Sequence, residues 1–537
     1  MLASPSRIVH VAMSDGIELA MRIYGPIDEK RPALFAASPY RFDNDDIPPT
    51  NTYLWRETGP IDWYVEQGYA YVHMDVRGTG RSGGEYGFFD RRERHDLYDA
   101  IEWIAAQPWC TGKVGGIGHS YYATTQWAMA SERPPHLACV APYDGHVDLY
   151  RGWAYHGGLS CSFLTEWWHG NVRTTNAHPL TPDAPTRDLA LDLPRLLSLH
   201  PLLDEFWEER AFAAKLDDCT IPVFSIGAWC KRELHLGGNI EGFGRVSGPR
   251  KLLVTNAPNM PQTQDDFESP EFHARWLLPF YDHYLKGLDT EYEAWPAVQL
   301  QVANGTDTMD VAAWPPQTAT RTLFLGAGTR KPERSLNDGS LLESPPSDAD
   351  GATSYSYPDP RWAFGNVTFT GSGFDPLARN LTFVTEPFER DCLIAGTALL
   401  RLWLSSTGDD ARVIAKLSEE VAPAEDKGSP RSVIVAKGWL RASHRAILSH
   451  DHGLLHDHTR GVPMRAGRPE ELEIAFTPTA HRIAAGSRLR LDLSCTDSPI
   501  TDAVFFHAMN PNDVGTDTIH HSPAMPSVLE LPLASTG

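Results

Sequence analysis

Residues 114–122 read Val-Gly-Gly-Ile-Gly-His-Ser-Tyr-Tyr, a short apolar run that breaks at glycine and serine just before a helical stretch. A strand that passes into a helix across one sharp turn belongs to a parallel sheet with helices on its faces. Gly118 suits that turn, because a Cβ two residues before Ser120 would collide with the strained serine backbone. The second glycine of the full pattern is replaced by Tyr122. Such a turn lifts the Ser120 hydroxyl to the top of the sheet. There an imidazole can take its proton and backbone N–H groups can hold an oxyanion.

The flanking sequence alternates in the same sense. Apolar runs at 33–38, 69–74, 113–117 and 138–141 read as strands. Between them, Leu97, Ala100, Ile101 and Ile104 lie at i, i+3, i+4 and i+7 of an amphipathic helix, and 123–130 continues the helix after Ser120. From about 148 to 218 the chain is rich in Trp, His, Leu and Pro without a strand signal, which predicts a helical insertion. Strands resume at 222–227 and 251–255. A helix opens at Ser269-Pro270 with a serine cap and closes at Gly287. Beyond Trp314-Pro315-Pro316 the pattern turns all-β. Residues 488–493 alternate strictly and 400–404 more loosely, between Gly, Pro, Asp and Ser clusters.

Composition narrows the partners. A formal charge of −22 argues against nucleic acid or an anionic membrane surface. The 7 cysteines are scattered without a Cys-x-x-Cys pair, which suggests buried thiols rather than a zinc site or a disulfide framework. No run approaches the ~18 apolar residues of a spanning helix, so a cytoplasmic protein is expected. A homodimer is left open. Neither cofactor nor metal is expected. The histidines at 450, 452, 456 and 458, with Asp451 and Asp457 between them, match no defined zinc spacing and read as a solvated loop.

Several runs together resemble the cocaine esterase / X-prolyl dipeptidyl aminopeptidase family of serine hydrolases. They are Asp75-Val-Arg-Gly-Thr-Gly-Arg-Ser82, Ile101-Glu-Trp-Ile-Ala-Ala-Gln-Pro-Trp109, Gly112-Lys-Val-Gly115 and Gly118-His-Ser-Tyr121. Phe280-Tyr-Asp-His-Tyr-Leu-Lys-Gly287, Gly438-Trp-Leu-Arg-Ala-Ser-His444 and Thr518-Ile-His-His-Ser-Pro523 continue the match. The resemblance implies an α/β-hydrolase core over 1–147 and 219–313, interrupted by a helical cap over 148–218. A β-sandwich of jelly-roll type over 314–537 would follow.

The resemblance also assigns roles. Ser120 takes the nucleophile position, Tyr40 donates its hydroxyl to the oxyanion, and the Tyr121 N–H is the second donor. Two positions depart from the family. Lys231 stands where the aspartate is expected, and Asn256 or Asn259 where the histidine is expected. Lysine cannot accept the imidazole Nδ1–H bond, and an amide cannot serve as a general base. A repurposed or solvent-facing Lys231 is the expectation, with a Ser–Lys mechanism as the minor alternative. His235, four residues past Lys231, is the first replacement base to consider, with His146 behind it. Asp144 is either a displaced acid or a carboxylate that anchors the cap, while His119 should pack away from the site. Trp153, Trp167, Trp168 and Trp229 are the expected walls of an apolar pocket.

The expected function is hydrolysis of a small ester or amide through Ser120, with an incomplete or non-standard triad. One alternative is an altered descendant that performs a cyclisation, acyl transfer or elimination on a biosynthetic intermediate. The other is a protein that only binds.

Overall fold

The computed structural model describes residues 4–534, apart from 48–55, 329–334, 350, 371–372, 422–430, 451–452 and 511. Ten strands form the first sheet: β1 (Ser6–Ala12), β2 (Glu18–Tyr24), β3 (Arg31–Ser38), β4 (Ala70–Asp75), β5 (Cys110–Gly116), β6 (Leu137–Val140), β7 (Val223–Ala228), β8 (Arg250–Thr255), β9 (Val298–Gln301) and β10 (Thr308–Val311). Their spatial order is β1-β2-β4-β3-β5-β6-β7-β8-β9-β10. From β4 to β9 every pairing is parallel, while the β1–β2, β2–β4 and β9–β10 pairs are antiparallel. The central strands are buried along their length, as a sheet covered on both faces requires. The antiparallel edges were not visible in the sequence, because β1 has one buried residue in seven and alternates weakly.

The helix Arg91–Ala105 buries Leu97, Ala100, Ile101 and Ile104, the face set by their spacing, and Asp90 caps it by accepting from the Glu93 N–H. The helix Tyr121–Glu132 is buried at all but its last residue, which explains its lack of amphipathic pattern. Ser269 caps the later helix as expected, and Gly287 ends it with φ 71°. The insertion contains several short helices, together with one small hairpin that pairs Tyr155–His156 with Leu159–Ser160.

The second large sheet begins at Thr318 and collects 13 strands. It is the expected all-β domain, with its own core of Leu, Ile, Val and Phe side chains. Its strand Arg431–Arg441 presses on the first domain. There the buried Lys437 ammonium bonds Glu233 at 2.7 Å and Asp502 at 2.7 Å. Glu233 lies two residues before His235, so the β domain braces the loop that follows β7. No helix among the described residues is long and apolar enough to cross a membrane.

Candidate active site

The turn after β5 has the strain its sequence demands. Ser120 sits at φ 63° and ψ −114°, a conformation that costs a non-glycine residue about 1–3 kcal/mol. Hydrogen bonds on both sides hold it there: the Ser120 N–H donates to the Tyr143 carbonyl and the His119 N–H to the Glu57 carbonyl. Gly118 has φ 131°, and a Cβ there would lie 2.2 Å from the Tyr122 Cβ. Tyr121 is the first residue of the following helix, so its N–H has no intrahelical acceptor and is available to a ligand.

His235 approaches the serine. Its Nε2 lies 3.4 Å from the Ser120 Oγ, and it stands just before the helix Leu236–Arg245. Burial, with help from His146, Lys231 and His119, holds its basicity well below the ordinary histidine range. The ring is therefore neutral near pH 7, and its Nε2 lone pair can accept the serine proton. The other nitrogen, Nδ1, is buried with no hydrogen-bond partner among the described residues. Thus the imidazole is in place without the carboxylate that would usually orient it.

A carboxyl group does lie beside the serine, from a loop that sequence reasoning passed over. Glu57 is fully buried, and its carboxyl feels the Ser120 hydroxyl, while its Oε2 has no hydrogen-bond partner among the described residues. Burial pushes its pKa up to about 8, although the Lys231 charge, Gln264 and Ser120 pull the other way. Gln264 donates to Glu57 at 3.5 Å. Lys231 is 1% exposed, so the expected solvent-facing lysine is corrected to a buried one. Its charge acts on Glu57, His119, His146 and His235 together. Glu57 carried no signal in the sequence, since one acidic residue before Thr58-Gly59-Pro60 is ordinary for a loop.

Asp144 faces elsewhere. Its Oδ2 bonds His119 Nε2 at 3.0 Å and its Oδ1 accepts the Ala228 N–H, so it ties β6 to β7 and does not orient His235. His119 is buried but does not point away from the site as expected: its pKa is lowered to about 4, and its Nδ1 lies 3.6 Å from Glu57. His146 is also buried, stacks on Trp153 at 4.9 Å, and has no partner at either ring nitrogen among the described residues. Asn256 donates to the Gly305 carbonyl, while Asn259 caps the helix Met260–Glu268. Both amides are therefore engaged in loop structure.

Aromatic rings enclose the serine. Tyr40 packs edge-on against Tyr121 and Tyr122, and its hydroxyl accepts from the Trp167 indole at 2.7 Å. That bond leaves the Tyr40 O–H proton free to donate. Trp167 packs on Trp153 and stacks on Tyr121, and Trp168 stacks on Tyr86. Trp229 is corrected: its indole donates to the Gln301 carbonyl, and its ring packs in a separate cluster with Leu393 and Ala480. The histidine-rich loop is corrected too. His456 and His458 are buried, and His458 meets His444 at 2.8 Å; Asp451 and His452 lie outside the described residues.

Comparison with known proteins finds relatives along both domains. Residues 15–258 match the X-Pro dipeptidyl-peptidase (S15 family) profile, and residues 290–530 match the X-Pro dipeptidyl-peptidase C-terminal non-catalytic domain. The chain is 26% identical to the cocaine esterase of Rhodococcus sp. (strain MB1 Bresler), across 98% of both proteins. A putative serine esterase of Mycobacterium tuberculosis is 23% identical over 88% of this chain and 84% of its own length. A crystal structure of a CocE/NonD family hydrolase from Staphylococcus aureus shares the fold. Its TM-score is 0.82 at 24% identity, covering 98% of this chain and 93% of that one.

Proposed function

We propose that this chain, which belongs to the X-Pro dipeptidyl-peptidase (S15) family of serine esterases and peptidases, hydrolyses a small ester or amide through Ser120 with a rearranged set of partners. The observation that carries the reading is the strained Ser120 with the His235 Nε2 at 3.4 Å. As the Ser120 Oγ bonds to the substrate carbonyl carbon, its proton passes to His235 Nε2. The carbonyl oxygen gains negative charge and is held by the Tyr40 hydroxyl and the Tyr121 N–H. His235 then returns the proton to the leaving oxygen or nitrogen as the carbonyl re-forms. Water, deprotonated by the same imidazole, releases the acyl group from Ser120. Trp153, Trp167 and Trp168 favour a compact acyl group near the serine.

A fluorophosphonate probe tests this. Labelling at Ser120 that is lost in Ser120→Ala and falls by at least about a hundredfold in His235→Gln supports an activated serine. An inert Ser120 in folded protein overturns the hydrolase. The second reading, a non-hydrolytic reaction in the same pocket, is favoured by the partnerless His235 Nδ1. Losing the orienting carboxylate of a triad costs about 10⁴-fold in turnover. Turnover of another substrate beside an inert Ser120 would select that reading.

A further inference from the structure

Away from Ser120, three metal-ligating side chains converge where the insertion meets the β domain. His156, in the small hairpin of the insertion, presents its Nδ1 to the Nε2 of His507 at 2.9 Å. The Sγ of Cys161, just past the same hairpin, completes a group whose ligand atoms all lie within 4.8 Å of one another. All three residues are buried.

The outward side of the His507 ring is already committed. His507 Nδ1 faces the Asp497 carboxylate at 2.9 Å, so it carries the proton and donates. Its Nε2 therefore accepts the bond from His156 Nδ1, and a metal ion that takes the place of that one proton meets an imidazole lone pair from each ring. An outer N–H held by a carboxylate or backbone carbonyl is what fixes the ligating tautomer of a metal-bound histidine.

We propose that His156, Cys161 and His507 bind a zinc(II)-class transition-metal ion that clamps the insertion to the β domain. Imidazole nitrogens at about 2.0–2.1 Å from a tetrahedral zinc lie about 3.3 Å apart, so the rings need to separate by only about 0.4 Å. On binding, the proton between the two rings moves by exchange with solvent to the His156 Nε2, and the Cys161 thiol proton leaves to solvent. The thiolate and the Asp497 carboxylate then balance the two positive charges of the ion. The donor set of two imidazoles and one thiolate suits zinc, copper or cobalt over magnesium or calcium.

The surroundings are rigid enough to hold such a site. Gly157 and Gly158 have φ 54° and 84°, and a Cβ at Gly157 would lie 2.0 Å from the Trp439 carbonyl oxygen. The Trp439 ring covers His156 at 4.7 Å and His507 at 5.5 Å. A cavity of about 210 Å³, lined in part by Gly152, His156 and Trp439, adjoins the His156 side of the group. Sequence spacing could not reveal the group, because 346 residues separate Cys161 from His507.

The test uses the full chain, stripped with a chelator and titrated separately with zinc chloride and cobalt chloride. One zinc per chain should survive gel filtration and raise the melting temperature. Cobalt should give tetrahedral visible bands and a thiolate charge-transfer band in the near ultraviolet. Cys161→Ser, a conservative change, should abolish the charge-transfer band while near-ultraviolet circular dichroism stays native. Asp497→Asn should weaken zinc binding by about 10–100-fold. Folded wild-type protein that retains no zinc at micromolar concentration overturns the proposal. So does a cobalt spectrum unchanged by Cys161→Ser.

Discussion

The native protein should show an alkaline activation that replacing Glu57 by glutamine removes. The native group is a buried carboxyl with a pKa near 8 that lies beside the serine. Lys231 faces it and favours its ionised form; Glu268 also faces it and opposes ionisation, and His119 Nδ1 stands 3.6 Å away. When ionised, Glu57 draws on the Ser120 proton and offsets the Lys231 charge that hinders formation of a His235 imidazolium. At pH 7 about a tenth of Glu57 is ionised and at pH 9 about nine-tenths, so acylation should rise about tenfold across that interval. His235 titrates well below the ordinary histidine value and adds no inflection there. The assay is the pre-steady-state burst with a p-nitrophenyl ester, by stopped flow from pH 6 to 10. Glu57→Gln should match the native rate near pH 6 and stay flat above it. Because Glu268 has its own pKa raised to about 7, Glu268→Gln serves as the control and should keep the inflection but move it below 8, since a charge that opposes Glu57 ionisation is gone. An inflection near 8 that survives Glu57→Gln refutes the assignment, as does a native profile that breaks at 6.5.

Removing the lysine charge should move the same inflection the other way: Lys231→Met takes away the cation that favours the Glu57 carboxylate, and the pH profile should break above 8. The raised Glu57 pKa also bears on stability. Its contribution is fully present below the unfolded value near 4.5 and is lost as pH rises through about 8. Glu57→Gln should therefore stabilise the protein at pH 9, by on the order of 5 kcal/mol, and change little at pH 4.5, as urea titrations at the two pH values would show. Lys437→Met leaves Glu233 without its buried cation and Asp502 with Lys416 alone, at a cost of about 3 kcal/mol. Calorimetry should show a fall of roughly 10 °C in melting temperature, and fluorophosphonate labelling of the folded protein should slow because the His235 loop loses its brace. Gly118→Ala should give protein that is unlabelled or unfolded, read by probe labelling beside circular dichroism, since its Cβ overlaps Tyr122.

The parallel sheet was legible because buried strands such as 33–38 and 251–255 are continuous apolar runs with clear ends. The edges were not, since β1 and β10 alternate between solvent and a thin contact and carry little hydrophobic signal. Ser120 was legible because its turn needs particular small residues at fixed offsets. His235 was legible only as one of several histidines, and distance alone singled it out. Glu57 and the His156–Cys161–His507 group were invisible for a shared reason. Their members come from loops that the fold joins, and burial, which gives them their chemistry, leaves no local pattern. Trp229 misled because its place beside Lys231 says nothing about which face of the loop it occupies, and that face turns toward the β domain.

The contrast between the retained serine and the altered partners has a structural cause. Ser120 is overdetermined: its backbone conformation, Gly118, the Tyr143 and Glu57 carbonyls and the buried helix behind it all fix one geometry. The base and acid positions are loop ends after β7 and β8, where a side chain can change without disturbing the sheet. In this chain the loop after β8 has become structural through Asn256 and Asn259. The loop after β7 has taken over both functions of charge and proton acceptance, with Lys231 and His235 one helical turn apart. Moving the imidazole to the same loop as a buried cation makes it a weak base. A carboxyl on the other side of the serine is then the one group able to restore its strength, and only above the pH at which that carboxyl ionises. On the proposed mechanism, activity should therefore have an alkaline operating range, and the position of that range should follow the charge at residue 231.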